Sequence, residues 1–192
     1  MNFDDLQLQV HPGQGLVARL SGAVVVLPQA SGATDFDDEV LAIVAAACES
    51  YGPSPGRNLI RKVAGLITSA EPEDVSSFAV AAAGEDGLAL MLCGSMDLHL
   101  SDGNQEQVLS GREVATWVDR VVGEPLGRLV ILPTGAREPE AEPRVDLRDG
   151  VVVGSGITLT PRAAPAPAQK SSAEHPQRSA QRWWKASSGR ER

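Results

Sequence analysis

FAVAAAGEDGLALMLCGSMDLHL, residues 78–100, decides the fold. Phe78 to Ala83 and Leu88 to Cys93 read as two strands joined through Gly84-Glu85-Asp86-Gly87, with Asp86-Gly87 as a hairpin signal. Met96, Leu98 and Leu100 then alternate with Asp97 and His99, the period of a strand with one buried face. Asp102-Gly103 makes a further turn, and Val108 and Leu109 end a short strand. Strands joined in this way run antiparallel.

Upstream, Leu6, Leu8 and Val10 alternate with Gln7 and Gln9, and Pro12-Gly13-Gln14-Gly15 turns the chain. Leu16 to Leu20 and Ala23 to Leu27 flank Ser21-Gly22, a two-residue hairpin signal. A helix is expected from about Thr34, with Asp35, Asp37, Asp38 and Glu39 in a first turn whose dipole favours negative charge. Phe36, Val40, Val44 and Cys48 form its apolar face, and Gly52-Pro53-Ser54-Pro55-Gly56 stops it. A second helix runs from about Arg57 to Ser69, with Leu59, Ile60, Val63, Leu66 and Ile67 as its stripe.

Downstream, Ser110-Gly111-Arg112-Glu113 has the form of a capping box, which predicts a third helix with Val114, Trp117, Val118 and Val121 buried and Gly123 at its end. Leu129 to Leu132 is a strand. Residues 134–143, with Glu138, Glu140, Glu142, Pro139 and Pro143, read as an exposed linker. Arg144 to Leu147, Val151 to Val153 and Ile157 to Thr160 are expected to close the domain as a hairpin around Asp149-Gly150, docked onto the sheet. The expected fold class is α+β, a mostly antiparallel sheet system packed with about three helices over residues 1–160.

Composition divides the chain of 192 residues near Thr160. Residues 1–160 hold 10 Lys and Arg against 23 Asp and Glu, a net −13, and residues 161–192 hold 7 against 2, a net +5. That final segment, rich in Pro and Ala and then in Ser, Gln, Arg and Lys, is expected to be a disordered basic tail. Aromatics make up 4% of the chain, so the core must come from Val, Leu, Ile and Ala. Nothing in Met1 to Asp5 resembles a secretory leader, and no apolar run reaches the length of a membrane-spanning helix, so the default location is cytoplasmic. An acidic body repels nucleic acid and anionic membrane, and only the tail is suited to touch either.

No catalytic constellation emerges. The histidines are His11, His99 and His175, each expected at the surface, and Ser95 in Cys93-Gly94-Ser95-Met96-Asp97 is not in a nucleophile elbow. Cys-x-x-Cys and His-x-x-x-His are absent, and Asp4/Asp5, Asp35/Asp37/Asp38 and Glu71/Glu73/Asp74 read as capping and solubility rather than as a cation cage. No phosphate-cradling loop precedes a helix. Catalytic, cofactor and metal residues are therefore not expected. The candidate partner-binding residues are Arg182, Trp183, Trp184 and Lys185, an aromatic pair between cations, suited to bases, a membrane interface or a partner protein.

Val10-His11-Pro12-Gly13-Gln14-Gly15-Leu16-Val17-Ala18-Arg19, Ser110-Gly111-Arg112-Glu113 through Trp117-Val118-Asp119-Arg120, and Asp146 through Gly156 together resemble an N-terminal domain of actinobacterial proteins that carry a forkhead-associated (FHA) domain further on. The likeness spans about residues 6–160. The FHA domain itself is missing, since its Ser-x-x-His and Asn-Gly elements are absent. The resemblance implies a regulatory or scaffolding module near Ser/Thr phosphorylation, with an unidentified protein as partner. More weakly, the stretch from Gly87 to Leu100 resembles the middle of metal-dependent protein phosphatases of the PP2C type. Here Gly94-Ser95-Met96-Asp97 lacks that family's Asp after Gly and its Arg, and the metal-binding Asp-Gly-x-Gly-Gly segment is absent. This second likeness implies at most a degenerate hydrolase.

Overall fold

The computed structural model describes residues 2–28, 34–102, 105–140 and 146–162. They contain β1 (Leu6–His11), β2 (Leu16–Leu20), β3 (Ala23–Leu27), α1 (Thr34–Tyr51), α2 (Gly56–Ser69), β4 (Phe78–Gly84), β5 (Gly87–Cys93), β6 (Met96–Ser101), β7 (Glu106–Ser110), β8 (Trp117–Val122), β9 (Arg128–Pro133), β10 (Gly150–Val153) and β11 (Gly156–Pro161). The chain is α+β, with every strand pairing antiparallel. One sheet has six strands in the order β10-β2-β3-β4-β5-β8, and the other has five in the order β1-β11-β9-β6-β7.

The apolar runs at 23–27, 78–83 and 88–93 have a single cause. They lie at the centre of the six-stranded sheet, which is covered on both faces, so neither face needs polar residues. Ala79, Ala81, Ala83, Leu88, Leu90 and Leu92 face the second sheet and meet Leu8, Leu98, Ile131 and Leu159. Val80, Ala82, Ala89 and Met91 face the other way, onto Val40 and Val44 of α1 and Leu59 and Val63 of α2. Small side chains on the central strands let both layers approach closely, and the Phe36 and Phe78 rings meet at 5.9 Å. β6 alternates because Met96 and Leu98, with part-buried Leu100, pack in the inter-sheet core, while Asp97 and His99 point to its outer side.

The β2–β3 hairpin closes as expected through Ser21-Gly22, with Gly22 at φ 81°. A Cβ there would lie 2.4 Å from the Pro53 carbonyl oxygen, so glycine meets both the backbone and the space requirement.

Two sequence expectations are corrected. Among the described residues there is no third α-helix. Ser110 ends β7, Gly111–Glu113 form one 3-10 turn, and Trp117–Val122 form β8, in register from Cys93↔Trp117 to Leu88↔Val122. Trp117 and Val121 pack on the helix side and Val118 and Val122 on the sheet side, an alternation of period two that a helical reading of Val114, Trp117, Val118 and Val121 conceals. The Ser110 hydroxyl does not cap. It donates to Asp97 Oδ1 at 2.6 Å. The closing hairpin also separates: β10 joins β2 in one sheet and β11 inserts between β1 and β9 in the other. The chain crosses between sheets at Gly154-Ser155, where a Cβ on Gly154 would overlap the Val10 side chain at 2.3 Å.

A buried arginine ties one side of the sandwich together. Arg19, 2% exposed, donates to the carbonyl oxygens of Phe3 (2.8 Å), Leu147 (2.8 Å) and Leu6 (3.3 Å), and its guanidinium lies 5.3 Å from the Phe3 ring centre. Asp146 stands 3.7 Å from it and also accepts from the Leu8 amide (3.0 Å) and from Arg162 (2.9 Å), while Arg148 pairs with it at 2.6 Å. Burial alone would raise the Asp146 carboxyl, but the Leu8 amide, Arg162 and Arg148 outweigh it and hold the group below the usual carboxylate range. Leu147 N–H donates to Leu8 O at 2.8 Å, so residues 146–147 cover the outer edge of β1.

Candidate functional site: a cleft beside the Cys93–Asp97 turn

Cys93-Gly94-Ser95-Met96-Asp97 carries the chain from β5 in one sheet to β6 in the other. Gly94 has φ 66°, and a Cβ on it would lie 2.4 Å from Ser77 Oγ. That hydroxyl accepts from the Ser95 amide at 2.9 Å, and Ser95 O accepts from the Thr134 amide at 2.9 Å. Gly111 packs against the turn, and a Cβ on it would sit 2.6 Å from Gly94 O. Gly94 and Gly111 thus let two backbones approach with no side chain between them.

The Asp97 carboxylate and the Cys93 thiol are both engaged. Asp97 Oδ1 accepts from both Ser110 Oγ (2.6 Å) and Thr134 Oγ1 (2.8 Å), bracing β6 against the end of β7 and the segment after β9. The Cys93 thiol points at Thr116 O, 3.8 Å away, and burial pushes its pKa up. The nucleophilic form of a cysteine is the thiolate, so a raised pKa makes this sulfur a poor nucleophile. Cys48, also free, is pushed up to about 11 by burial. Asp86, at the other end of β5, pairs with Arg57 at 3.8 Å with both side chains exposed. At roughly 3.3 Å per strand residue, the length of β5 keeps Asp86 about 20 Å from Asp97, too far to share a reaction centre.

Beside this braced turn is an apolar cleft of about 450 Å³. Ile67 and Ala70 at the end of α2, Pro72 and Val75 in the loop after it, Val114 just after the 3-10 turn and Trp117 at the start of β8 line it, with Thr68, Ser76, Ser95, Arg112 and Thr116 as its polar members. Val114, placed by the helical reading on a buried face, is 41% exposed. Glu71, Glu73, Asp74 and Glu113 are exposed neighbours in sequence of lining residues, and the charged side chain of the lining itself is Arg112. The Ser76 hydroxyl, also in the lining, donates to Asp37 in the first turn of α1. Burial raises the Asp37 pKa, opposed by Ser76 and aided by Asp38.

The histidines divide differently from expectation. His99 is part-exposed, with Nδ1 3.8 Å from Glu106. His11 is buried, 3% exposed, with Nε2 2.8 Å from Thr158 Oγ1. It is a surface residue by sequence pattern, but β11 and the crossing at Gly154–Gly156 close over it. Burial, aided by Arg128, lowers its pKa to about 4, so it is neutral at pH 7. Among the described residues its Nδ1 is the buried side-chain polar atom without a hydrogen-bond partner, and no group of three or more His, Cys, Asp and Glu is placed to hold a metal ion.

Arg182, Trp183, Trp184 and Lys185 lie outside the described residues. The cleft was not visible in the sequence, because its walls come from segments some 40 residues apart that are brought together by the β5–β8 pairing. No helix of the described residues is long and apolar enough to cross a membrane.

Fold and cleft together define an antiparallel two-sheet sandwich with a helical layer on one face and a mainly apolar cleft beside an engaged carboxylate and an engaged thiol. No protein-family model, curated protein or solved structure matches the chain.

Proposed function

We propose that this domain is a non-catalytic binding or scaffold module whose contact surface is the cleft between α2 and β8. One observation carries the reading: the cleft exposes Val114 and half-buried Trp117 beside a carboxylate and a thiol that are both already engaged. Exposed apolar surface in a concavity, rimmed by charge, favours recognition over bond-making. The resemblance of the Val10–Arg19 and Asp146–Gly156 stretches to N-terminal domains of FHA-carrying proteins favours a setting in Ser/Thr-phosphorylation signalling, with another protein as the partner. Titrating the isotope-labelled chain with a peptide library tests this. Amide shifts confined to residues 67–76 and 111–117 are expected. Manganese-dependent turnover of a generic phosphoester that is lost in Asp97→Asn would overturn the reading in favour of a degenerate metal-dependent phosphatase.

A further inference from the structure

Among the described residues, β10 is a bare sheet edge. We infer that it pairs with β10 of a second copy of this chain, antiparallel about a two-fold axis at Val152, joining two six-stranded sheets into one. This surface is separate from the cleft between α2 and β8.

Four strands end the two sheets: β1 and β7 in one, β10 and β8 in the other. An edge strand presents unpaired N–H and C=O groups, and native proteins blunt it with charge, proline or a covering segment. Residues 146–147 cover β1. β7 begins with exposed Glu106 and Gln107, and β8 carries exposed Asp119 and Arg120. β10, Gly150-Val151-Val152-Val153, has neither charge nor proline. Its Val151 and Val153 are 55% and 69% exposed, beside the helices that pack on β2 to β5.

The direction of the free backbone groups follows from the register. Gly154 N–H donates to Gly15 O at 3.0 Å, and Val152 lies opposite Val17. Bonded residues alternate along an antiparallel pair, so Val152 turns its N–H and C=O to β2, and Val151 and Val153 turn theirs outward. The edge therefore fits an extended strand with free groups at alternate residues. β10 of a second copy has that pattern. With Val151 opposite Val153 of the second copy, and Val153 opposite its Val151, both edges are satisfied at once. The exposed valines then pack in cross-strand pairs, and the two Val152 side chains meet on the inner face. There the added strand faces a cavity of about 450 Å³ lined by Val10, His11, Leu147 and Val152. Continued past the strand, the register sets Asp149 opposite Ser155 and Arg148 opposite Gly156, so like charges do not meet. A strand of this length buries little area and the chain carries a net −8, so the pairing is weak and strengthens with salt.

Sedimentation equilibrium of the full chain tests the inference. The mass is expected to rise from one chain toward two between about 10 µM and about 1 mM, and to rise further at high salt. Val153→Pro removes an outward N–H and spares the bonds to β2. It should weaken pairing at least about tenfold with the urea unfolding midpoint unchanged. Val151→Lys should weaken it as much, by placing a charge on the edge. Val152→Cys tests the register. Directly opposite residues lie within disulfide reach, so mild oxidation should give a covalent dimer, whereas Val151→Cys, two residues out of register, should not. A chain that stays monomeric at about 1 mM, a dimer that survives Val153→Pro or Val151→Lys, or a covalent dimer from Val151→Cys but not from Val152→Cys would overturn the pairing of β10 with itself.

Discussion

The two sides of the sandwich use similar polar chemistry for opposite ends. On the β1 side, Arg19 and Asp146 spend their hydrogen bonds on backbone from Phe3, Leu6, Leu8 and Leu147, and this closes the edge of the sheet. On the β8 side, Asp97, Ser77 and Thr134 brace the Gly94 turn, but the surface beyond them stays open and apolar. The difference is what the bonded groups hold. Arg19 draws a loop over the core. Asp97 ties Ser110 and Thr134 to β6, and Val114 and Trp117 line the open cleft beyond them. Polar bonding therefore marks neither a site nor a closed edge by itself; the apolar groups next to it decide.

The largest effect should come from breaking the closed side. Arg19→Met is expected to lower unfolding free energy by about 3–5 kcal/mol, because it leaves the Phe3, Leu6 and Leu147 carbonyls unpaired and Asp146 short of a partner. Urea unfolding followed by circular dichroism measures it. A smaller loss than in Asp97→Ala would reverse the contrast between the two sides.

Acid should probe the same side next. The folded pKa of His11 is near 4, and that of the unfolded chain is near 6.5. The unfolded state therefore binds the proton first, so stability is full above about pH 6.5 and falls as the pH drops toward 4, by roughly 3 kcal/mol. Asp146 acts in the same direction at lower pH, since its depressed folded pKa gives stability present above the unfolded carboxylate value and lost as the pH falls through the folded one. Unfolding midpoints in urea across this range should slope for the native chain and flatten between pH 6.5 and 4 in His11→Phe.

On the open side the effects are smaller. Asp97→Ala leaves the Ser110 and Thr134 hydroxyls without their acceptor and should cost about 1–2 kcal/mol, loosening amide protection at residues 94–97 in hydrogen exchange. Val114→Arg should change stability by less than about 0.5 kcal/mol, since the side chain is exposed. A loss comparable to that of Asp97→Ala would mean that the cleft wall is part of the core.

Local signals made the β2–β3 and β4–β5 hairpins and both helices legible, because a two-residue turn, the Gly84-Glu85-Asp86-Gly87 stretch and a proline-rich stop each act on adjacent residues, although the β4–β5 turn itself is Glu85-Asp86 rather than Asp86-Gly87. β8 was misread because WVDRVV buries residues on both faces, and four apolar positions in six suit either period. The fates of β10 and β11 are set by partners more than 100 residues away, β2 and β1. Nothing local separates such strands from a hairpin. Arg19 sits between Ala18 and Leu20 in a strand pattern, and only the fold reveals that its side chain finds carbonyls rather than water. The cleft was illegible for the same reason as β8, whose placement forms one wall.

The pairing of β1 with β11 also has an architectural consequence. Leu6 lies opposite Pro161, Arg162 N–H donates to Asp5 O at 2.7 Å, and the Arg162 side chain reaches Asp4 O and Leu6 O. The two ends of the described sandwich, near Asp5 and Arg162, are thus a hydrogen bond apart. A unit with that property can be spliced into a surface loop of another protein without prising the host's strands apart. It can equally be re-cut, with residues 2 and 162 bridged by a few glycines and new ends opened at the Glu85-Asp86 turn. The strand pairing of both sheets would then survive a change in where the domain begins.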